Sequence, residues 1–312
     1  MQKNWLASYP SGVPHDIHPE EFRSLSHLLE ASFKANAHAP FSVCMDQWMT
    51  YGEVDQASSA FGAWLQQLGL SPDARVAIML PNLPQFAVTM SAVIRAGYTC
   101  VNVNPLYTAR ELEHQLKDSG ATAIVILENF AHTLQEVIDH SQVQHVVLTS
   151  LGDMLGPFYG RWMTFAVRHL AKLVPEFELP LDGGRQVTPW RKALGTGHHL
   201  SLKPTPQTMD DIAFLQYTGG TTGLSKGAIL THRNIVAAML QAEAWFSPAL
   251  ADVGDLRKVN SIAALPLYHI FALTLCLLAI RQGSHLTLIP NPRDFGKFIE
   301  VLKKRPSTSC PA

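Results

Sequence analysis

From Arg75 onward the chain alternates short, continuous apolar runs with longer segments whose apolar residues recur at helical spacing. Strands buried on both faces are apolar throughout rather than at every second residue, so this alternation predicts repeated β-α units around a largely parallel sheet. Residues 76–80 read as a buried strand. Pro84 suits the first turn of a helix that runs to Ala96 and closes at Gly97. Residues 98–103 form the next strand, Asn104-Pro105 a turn, and Thr108-Ala-Arg-Glu111 a capping box, in which hydroxyl and carboxylate serve reciprocal backbone N–H groups. Gly120 ends that helix, and strands at 123–127 and 145–149 complete a doubly wound layer.

Residues 150–210 break the rhythm with Gly183-Gly184, Gly195-Thr-Gly197 and Pro204-Thr-Pro206, which mark loops. The alternation then restarts, with a strand at 212–217, a polar Gly/Thr loop at 218–226, a short strand at 227–230 and a helix capped by Thr231. A strand at 260–265, an apolar helix near 271–280, a strand at 285–289 and a helix from Arg293 follow. The expected fold class is α/β, doubly wound, in two related layers. One covers residues 1–205, with an N-terminal arm and the irregular segment; the other covers 206–312 and is incomplete. Residues 262–280 are long enough to span a bilayer without a formal charge, but Pro266, Tyr268, His269 and the closing Gly283 favour a buried strand, turn and helix.

Within the irregular segment, Arg161, Thr164, Arg168 and Lys172 recur at helical spacing, interleaved with Phe158, Trp162, Phe165 and Leu170. No acidic residue lies between Asp153 and Glu176. A basic amphipathic helix of this kind either lies on an anionic bilayer surface or packs on the body with its basic stripe in water.

Composition narrows the function classes. The 312 residues carry 24 Lys+Arg against 25 Asp+Glu; they are 47% hydrophobic and 16% charged. Ordinary domains are about a quarter charged, so this chain is apolar-rich, which excludes intrinsic disorder. Near-neutrality argues against a nucleic-acid partner, which calls for a basic excess. Cys44, Cys100, Cys276 and Cys310 show no Cys-x-x-Cys spacing, so neither a disulfide scaffold nor a zinc site is expected. With no apolar run for a signal peptide after Met1, the expected location is a reducing cytoplasm.

The stretch Tyr217-Thr-Gly-Gly-Thr-Thr-Gly-Leu-Ser-Lys-Gly227 carries the candidate chemistry. Backbone N–H groups, hydroxyls and a cation can converge there on a polyphosphate. It is not a Walker loop, because Lys226 precedes Gly227 and no Gly-Lys-Ser/Thr occurs; a structural Gly/Thr hairpin is the plainer alternative. Gly223-Leu-Ser225-Lys-Gly227 also fits the G-x-S-x-G pattern of serine hydrolases, with Asp252, His269 and His285 downstream. However, a strand rather than a helix is expected to follow.

The stretch YTGGTTGLSKGAILTH resembles the phosphate-binding signature of the adenylate-forming enzymes, in the form found in bacterial long-chain fatty-acid–CoA ligases. Similar stretches occur in family order: MTYGEVDQASSAFGAWL, VAIMLPNLPQF, RAGYTCVNVNPLYTARELEHQLKDSGA and LPLYHIFAL. The resemblance implies adenylation of a fatty acid by ATP with Mg2+, then thioester formation with coenzyme A. By position, Tyr217, Thr218, Gly219, Gly220, Thr221, Thr222, Gly223, Lys226 and Gly227 would bind ATP phosphates, with Lys226 and His269 catalytic and Tyr268 and His269 beside the acyl group. Leu273 stands near a gating aromatic of some relatives. No metal ligand is assigned, because the family's magnesium-binding glutamate, ribose-binding aspartate and adenylation-promoting lysine are expected C-terminal to this segment. Ser307-Thr-Ser-Cys-Pro-Ala312 is unlike the strand expected there and suggests a ligase truncated before its small C-terminal domain. Two other readings stand beside it: a non-catalytic ATP- or lipid-binding fragment, and a hydrolase using Ser225. Peripheral contact with the inner face of the membrane and homodimer formation complete the expected partners.

Overall fold

Ahead of the alternating region the chain folds into helix α1 (Leu25–Ala35), a hairpin of β1 (Pro40–Cys44) and β2 (Gln47–Thr50), and helix α2 (Tyr51–Gln67). The computed structural model describes residues 4–219, 224–306 and 308. Thr50 caps α2: its Oγ1 accepts the Glu53 N–H at 3.2 Å and the Glu53 carboxylate accepts the Thr50 N–H at 2.7 Å.

The β-α units follow as β3 (Arg75–Met79), α3 (Pro84–Arg95), β4 (Thr99–Asn102), α4 (Ala109–Ser119), β5 (Ala123–Leu127), α5 (Ala131–Gln135) and β6 (His145–Thr149). The segment expected to be irregular holds helix α6 (Pro157–Phe165), strand β7 (Gln186–Pro189) and helix α7 (Trp190–Gly197). Then come β8 (Ile212–Thr218), β9 (Lys226–Thr231), α8 (His232–Leu250), β10 (Asn260–Ala263), α9 (Ile270–Gln282), β11 (His285–Leu288) and α10 (Phe295–Lys304). The Thr108–Glu111 capping box and the Thr231 cap form as the sequence predicts.

Seven strands make one sheet in the order β7-β6-β5-β3-β4-β8-β9, parallel except for the antiparallel β8–β9 pair. Alternate residues of β3 face opposite cores: Val76 and Ile78 pack with α1, α2 and α3, whereas Ala77 and Met79 pack with α4. The helices after β3 and β4 therefore cover opposite faces, and open α/β sheets bind ligands beside such a reversal.

The sheets do not divide at the boundary expected after residue 205. Strands β8 and β9 extend the first sheet through the β4–β8 pairing. A second, four-stranded sheet in the order β10-β11-β1-β2 joins residues from both ends of the chain. The restart after Asp211 is real in sequence, but β4 offers an open parallel edge to the apolar face of β8, and that edge takes the strand. Residues 262–280 resolve into the end of a strand, a turn and α9. Among the described residues no helix is long and apolar enough to cross a membrane.

The basic segment departs from its expected form. Helix α6 ends at Phe165, and a π-helical turn, Ala166–Leu170, follows. Lys172 has φ +51° and lies outside the helix. Arg168 does not project freely, because its guanidinium pairs with the buried Glu128 carboxylate, with Nε donating at 2.9 Å. The aromatic residues, rather than a basic stripe alone, face water.

Candidate functional site

A cleft of about 170 Å³ opens at the carboxyl ends of β4 and β8. Asn102, Asn104 and Tyr107 contribute from the β4 side; Gln216, Tyr217, Thr218 and Gly219 come from β8 and its exit. Tyr268, His269 and Ile270 close it from the turn into α9. Two segments about fifty residues apart in sequence, the start of the Gly/Thr loop and the Tyr-His pair, thus share one wall.

Side-chain amides hold those segments together. Asn102 Nδ2 donates to Gln216 Oε1 at 3.0 Å, and Gln216 Nε2 donates to the Tyr268 carbonyl at 2.8 Å. Gln115 Nε2 on α4 donates to the Asn102 carbonyl at 2.8 Å. Below the turn, Asn82 Nδ2 donates to the carbonyls of Ala263 and Leu265, and its Oδ1 accepts the Leu267 N–H at 2.8 Å. Buried amides are stable only with such partners. Asn102 Oδ1 and Gln115 Oε1 are exceptions, buried acceptors with no protein donor, the first of them in the cleft wall.

His269 is the N-cap residue of α9, its carbonyl accepting the Leu273 N–H at 2.9 Å. Its ring lies against Tyr268, with centroids 4.5 Å apart, and partial burial lowers its pKa. A neutral imidazole at neutral pH beside the amino end of a helix can accept or donate a hydrogen bond to an anionic group held there.

The two feet of the Gly/Thr loop are tied to α4. Tyr217 Oη donates to Asp118 Oδ2 at 2.5 Å, and burial, with Asp118 second, raises its pKa. At the other foot, the Ser225 carbonyl lies 2.8 Å from His114 Nε2, so this nitrogen carries the proton. Lys226 opens β9 opposite Thr218, with its side chain exposed and outside the cleft lining. Gly227 stands opposite Tyr217, where an added Cβ would lie 2.9 Å from the tyrosine Cζ. The absence of a side chain at 227 thus lets the Tyr217 ring cross β9 on its way to Asp118. Gly220, Thr221, Thr222 and Gly223 lie outside the described residues, as does Cys310. Cys44, Cys100 and Cys276 are free and buried. Leu273, Cys276 and Leu277 are fully buried in the core.

Ser225 leads into an antiparallel strand, not a helix. A nucleophile elbow needs a strand-to-helix turn that lifts the serine above the sheet, so the hydrolase reading loses its geometry. Among the described residues no three His, Cys, Asp or Glu side chains converge to hold a metal ion.

Asn102, Asn104, Tyr107 and Gln216 were not among the residues singled out by sequence. For Asn102, Asn104 and Gln216 the signal is an amide side chain within or just after a strand that is otherwise apolar, where a polar residue requires a partner or a ligand; Tyr107 carries no such signal.

Residues 29–312 match the family described as AMP-binding enzyme. A long-chain-fatty-acid–CoA ligase of Escherichia coli O157:H7 is 47% identical over 311 residues, covering 99% of this chain and 54% of that protein. The corresponding Haemophilus influenzae ligase is 41% identical, covering 97% of this chain and 53% of its own length. The chain therefore spans about half the length of the curated relatives it matches. Among solved structures, a long-chain-fatty-acid–CoA ligase from Archaeoglobus fulgidus superimposes with a TM-score of 0.74 at 20% identity, over 97% of this chain and 53% of that one. An anthranilate CoA ligase solved with anthranoyl-AMP gives the same TM-score at 17% identity, over 94% of this chain and 51% of that one.

Proposed function

Because this chain belongs to the AMP-binding enzyme family, we propose that the cleft between β4, β8 and the start of α9 is the nucleotide- and acyl-carboxylate-binding half of a long-chain fatty-acid–CoA ligase. The supporting observation is that Tyr217, Thr218 and Gly219 share one cleft with Tyr268 and His269. In the proposed reaction a carboxylate oxygen attacks the α-phosphorus of ATP and the bond to the bridging oxygen breaks, releasing pyrophosphate. The coenzyme A thiolate then attacks the acyl carbon and displaces AMP.

Attack of an anion on a polyanion is slow unless donors meet the charge that develops. Residues 217–223 would supply hydroxyl and backbone donors at the β- and γ-phosphates, and the exposed Lys226 ammonium would turn toward them from β9. His269 and the free N–H groups of the first turn of α9 would orient the carboxylate. The α4 ties at Tyr217 and Ser225 hold both feet of the loop, so less ordering is left for the moment of binding. Mg2+ would neutralise phosphate charge, but among the described residues no three His, Cys, Asp or Glu side chains converge to hold it. The protein is proposed to act in the cytoplasm with peripheral membrane contact.

Equilibrium titration of this chain with ATP, followed by fatty-acid-dependent ATP–pyrophosphate exchange, tests the reading. Lys226→Ala is expected to weaken ATP binding about tenfold or more, the scale of one charged hydrogen bond, while Ser225→Ala changes it little. ATP binding without exchange would support a binding-only role for this segment. No ATP binding by the wild-type chain would overturn both.

A further inference from the structure

Helix α6 is inverted for a surface helix. Its one buried residue is Gly160, and the only buried residue of the π-helical turn after it is Val167. At about 100° per residue, Thr164 lies on the same side as Gly160, while Phe158, Trp162 and Phe165 fall on the opposite side. Those three are 87, 58 and 53% exposed, and Leu170 and Leu173 extend the surface at 68 and 61%. The seat is narrow. Gly160 packs backbone to backbone on Gly152, where a Cβ on either would collide with the other's carbonyl, and Thr164 Oγ1 bonds Ser150 Oγ at 3.0 Å. A surface helix ordinarily turns its apolar stripe inward, so core packing does not account for this face. A run of large exposed apolar side chains of this kind marks a docking site.

The charge around the face selects the partner. Arg161 and Lys172 are exposed and make no ion pair among the described residues, and no acidic residue occurs from 154 to 175. Aromatic rings flanked by unpaired cations match the interfacial layer of a bilayer, where rings sit at headgroup depth and Lys or Arg meets anionic headgroups. A second copy of the chain would bring the same basic flank against itself across a twofold contact. We propose that residues 157–173 form a peripheral membrane anchor for an anionic phospholipid surface. This assignment names the surface for the proposed membrane contact and stands independently of the adenylation chemistry.

Flotation of the full 312-residue chain with vesicles of phosphatidylcholine, alone or mixed with phosphatidylglycerol, tests it. Binding should be about tenfold stronger on the mixed vesicles and weaken as salt screens the cations. The triple variant Phe158→Ser, Trp162→Ser, Phe165→Ser should lose most binding with an unchanged melting temperature, and Arg161→Glu with Lys172→Glu should abolish the preference for phosphatidylglycerol. Should the triple variant unfold, brominated lipids settle the point: they should quench a fluorescence component that Trp162→Phe removes. Absence of wild-type binding, wild-type-like binding by a folded triple variant, or quenching unaffected by Trp162→Phe overturns the assignment. So does a wild-type dimer that the triple variant dissolves while vesicles recruit neither form.

Discussion

His232 sits in the same stretch of sequence as the Gly/Thr loop, yet its imidazole serves the fold. It is buried, and Nδ1 accepts the Leu25 N–H at 3.0 Å, satisfying one of the free donors at the start of α1. Burial pushes its pKa down to about 4. An unfolded histidine titrates near 6.5, so between that pH and 4 the unfolded chain binds a proton that the folded chain refuses. Stability should be full above pH 6.5 and fall with pH through that window, by on the order of 3 kcal/mol in total. His232→Gln keeps an acceptor and removes the titration; urea midpoints measured at pH 7 and pH 5 should converge relative to wild type. A second residue-scale prediction concerns Gly227. Gly227→Ala places a methyl against Tyr217, and overpacking of this kind costs about 1–3 kcal/mol. Urea unfolding should show that loss together with weaker ATP binding, because the displaced tyrosine anchors one foot of the loop. At this scale the sequence is informative about residues with unusual chemistry. The Gly/Thr/Lys run and the Tyr-His pair stand out, whereas Asn102 and Gln216 are visible only as polar interruptions of apolar strands. That their amides meet across adjacent strands depends on the β4–β8 pairing, which no local pattern states.

Among the elements, those with strong local signals were legible. Strands β5 and β6 form at the predicted residues, and α4 begins and ends at its capping box and glycine. Thr231→Ala should cost about 1 kcal/mol by removing the cap of α8, readable as a shift in thermal midpoint. Helix α6 was legible in position but not in orientation. Helical spacing gives the relative angles of side chains and leaves open which side meets the body; here the Gly152–Gly160 contact decides it. The π-helical turn then carries Arg168 to Glu128, a carboxylate buried with one oxygen unpartnered. Arg168→Ala would strand that charge. Buried pairs broken on one side lose about 3–5 kcal/mol, but Arg168 is half exposed, so solvent should reduce the loss to about 1–3 kcal/mol. Arg161→Ala, with no partner to lose, should leave chemical unfolding unchanged.

At the scale of the whole molecule, the α/β class follows from the alternation of buried strands and helices, whereas the division into sheets does not. The apolar pattern marks each strand as buried but names no neighbour, and β8 and β1 both pair with strands remote in sequence. The second sheet makes the folded ends interdependent. Tyr51 Oη donates to the carbonyls of Ala279 and Ser284 at 2.7 and 2.6 Å, the first of them 228 residues further along the chain. At a synthesis rate of about 5–20 residues per second, some 10–50 s pass between emergence of the first hairpin and arrival of its partners. During that interval β1 presents an unpaired edge and α2 an uncovered tyrosine to the cell. Nascent chains arrested before residue 260 should therefore be cut by protease around residues 40–50, and chains arrested after β11 has cleared the ribosome should be protected there. The early hairpin is an appointment kept late, and the ribosome sets its hour.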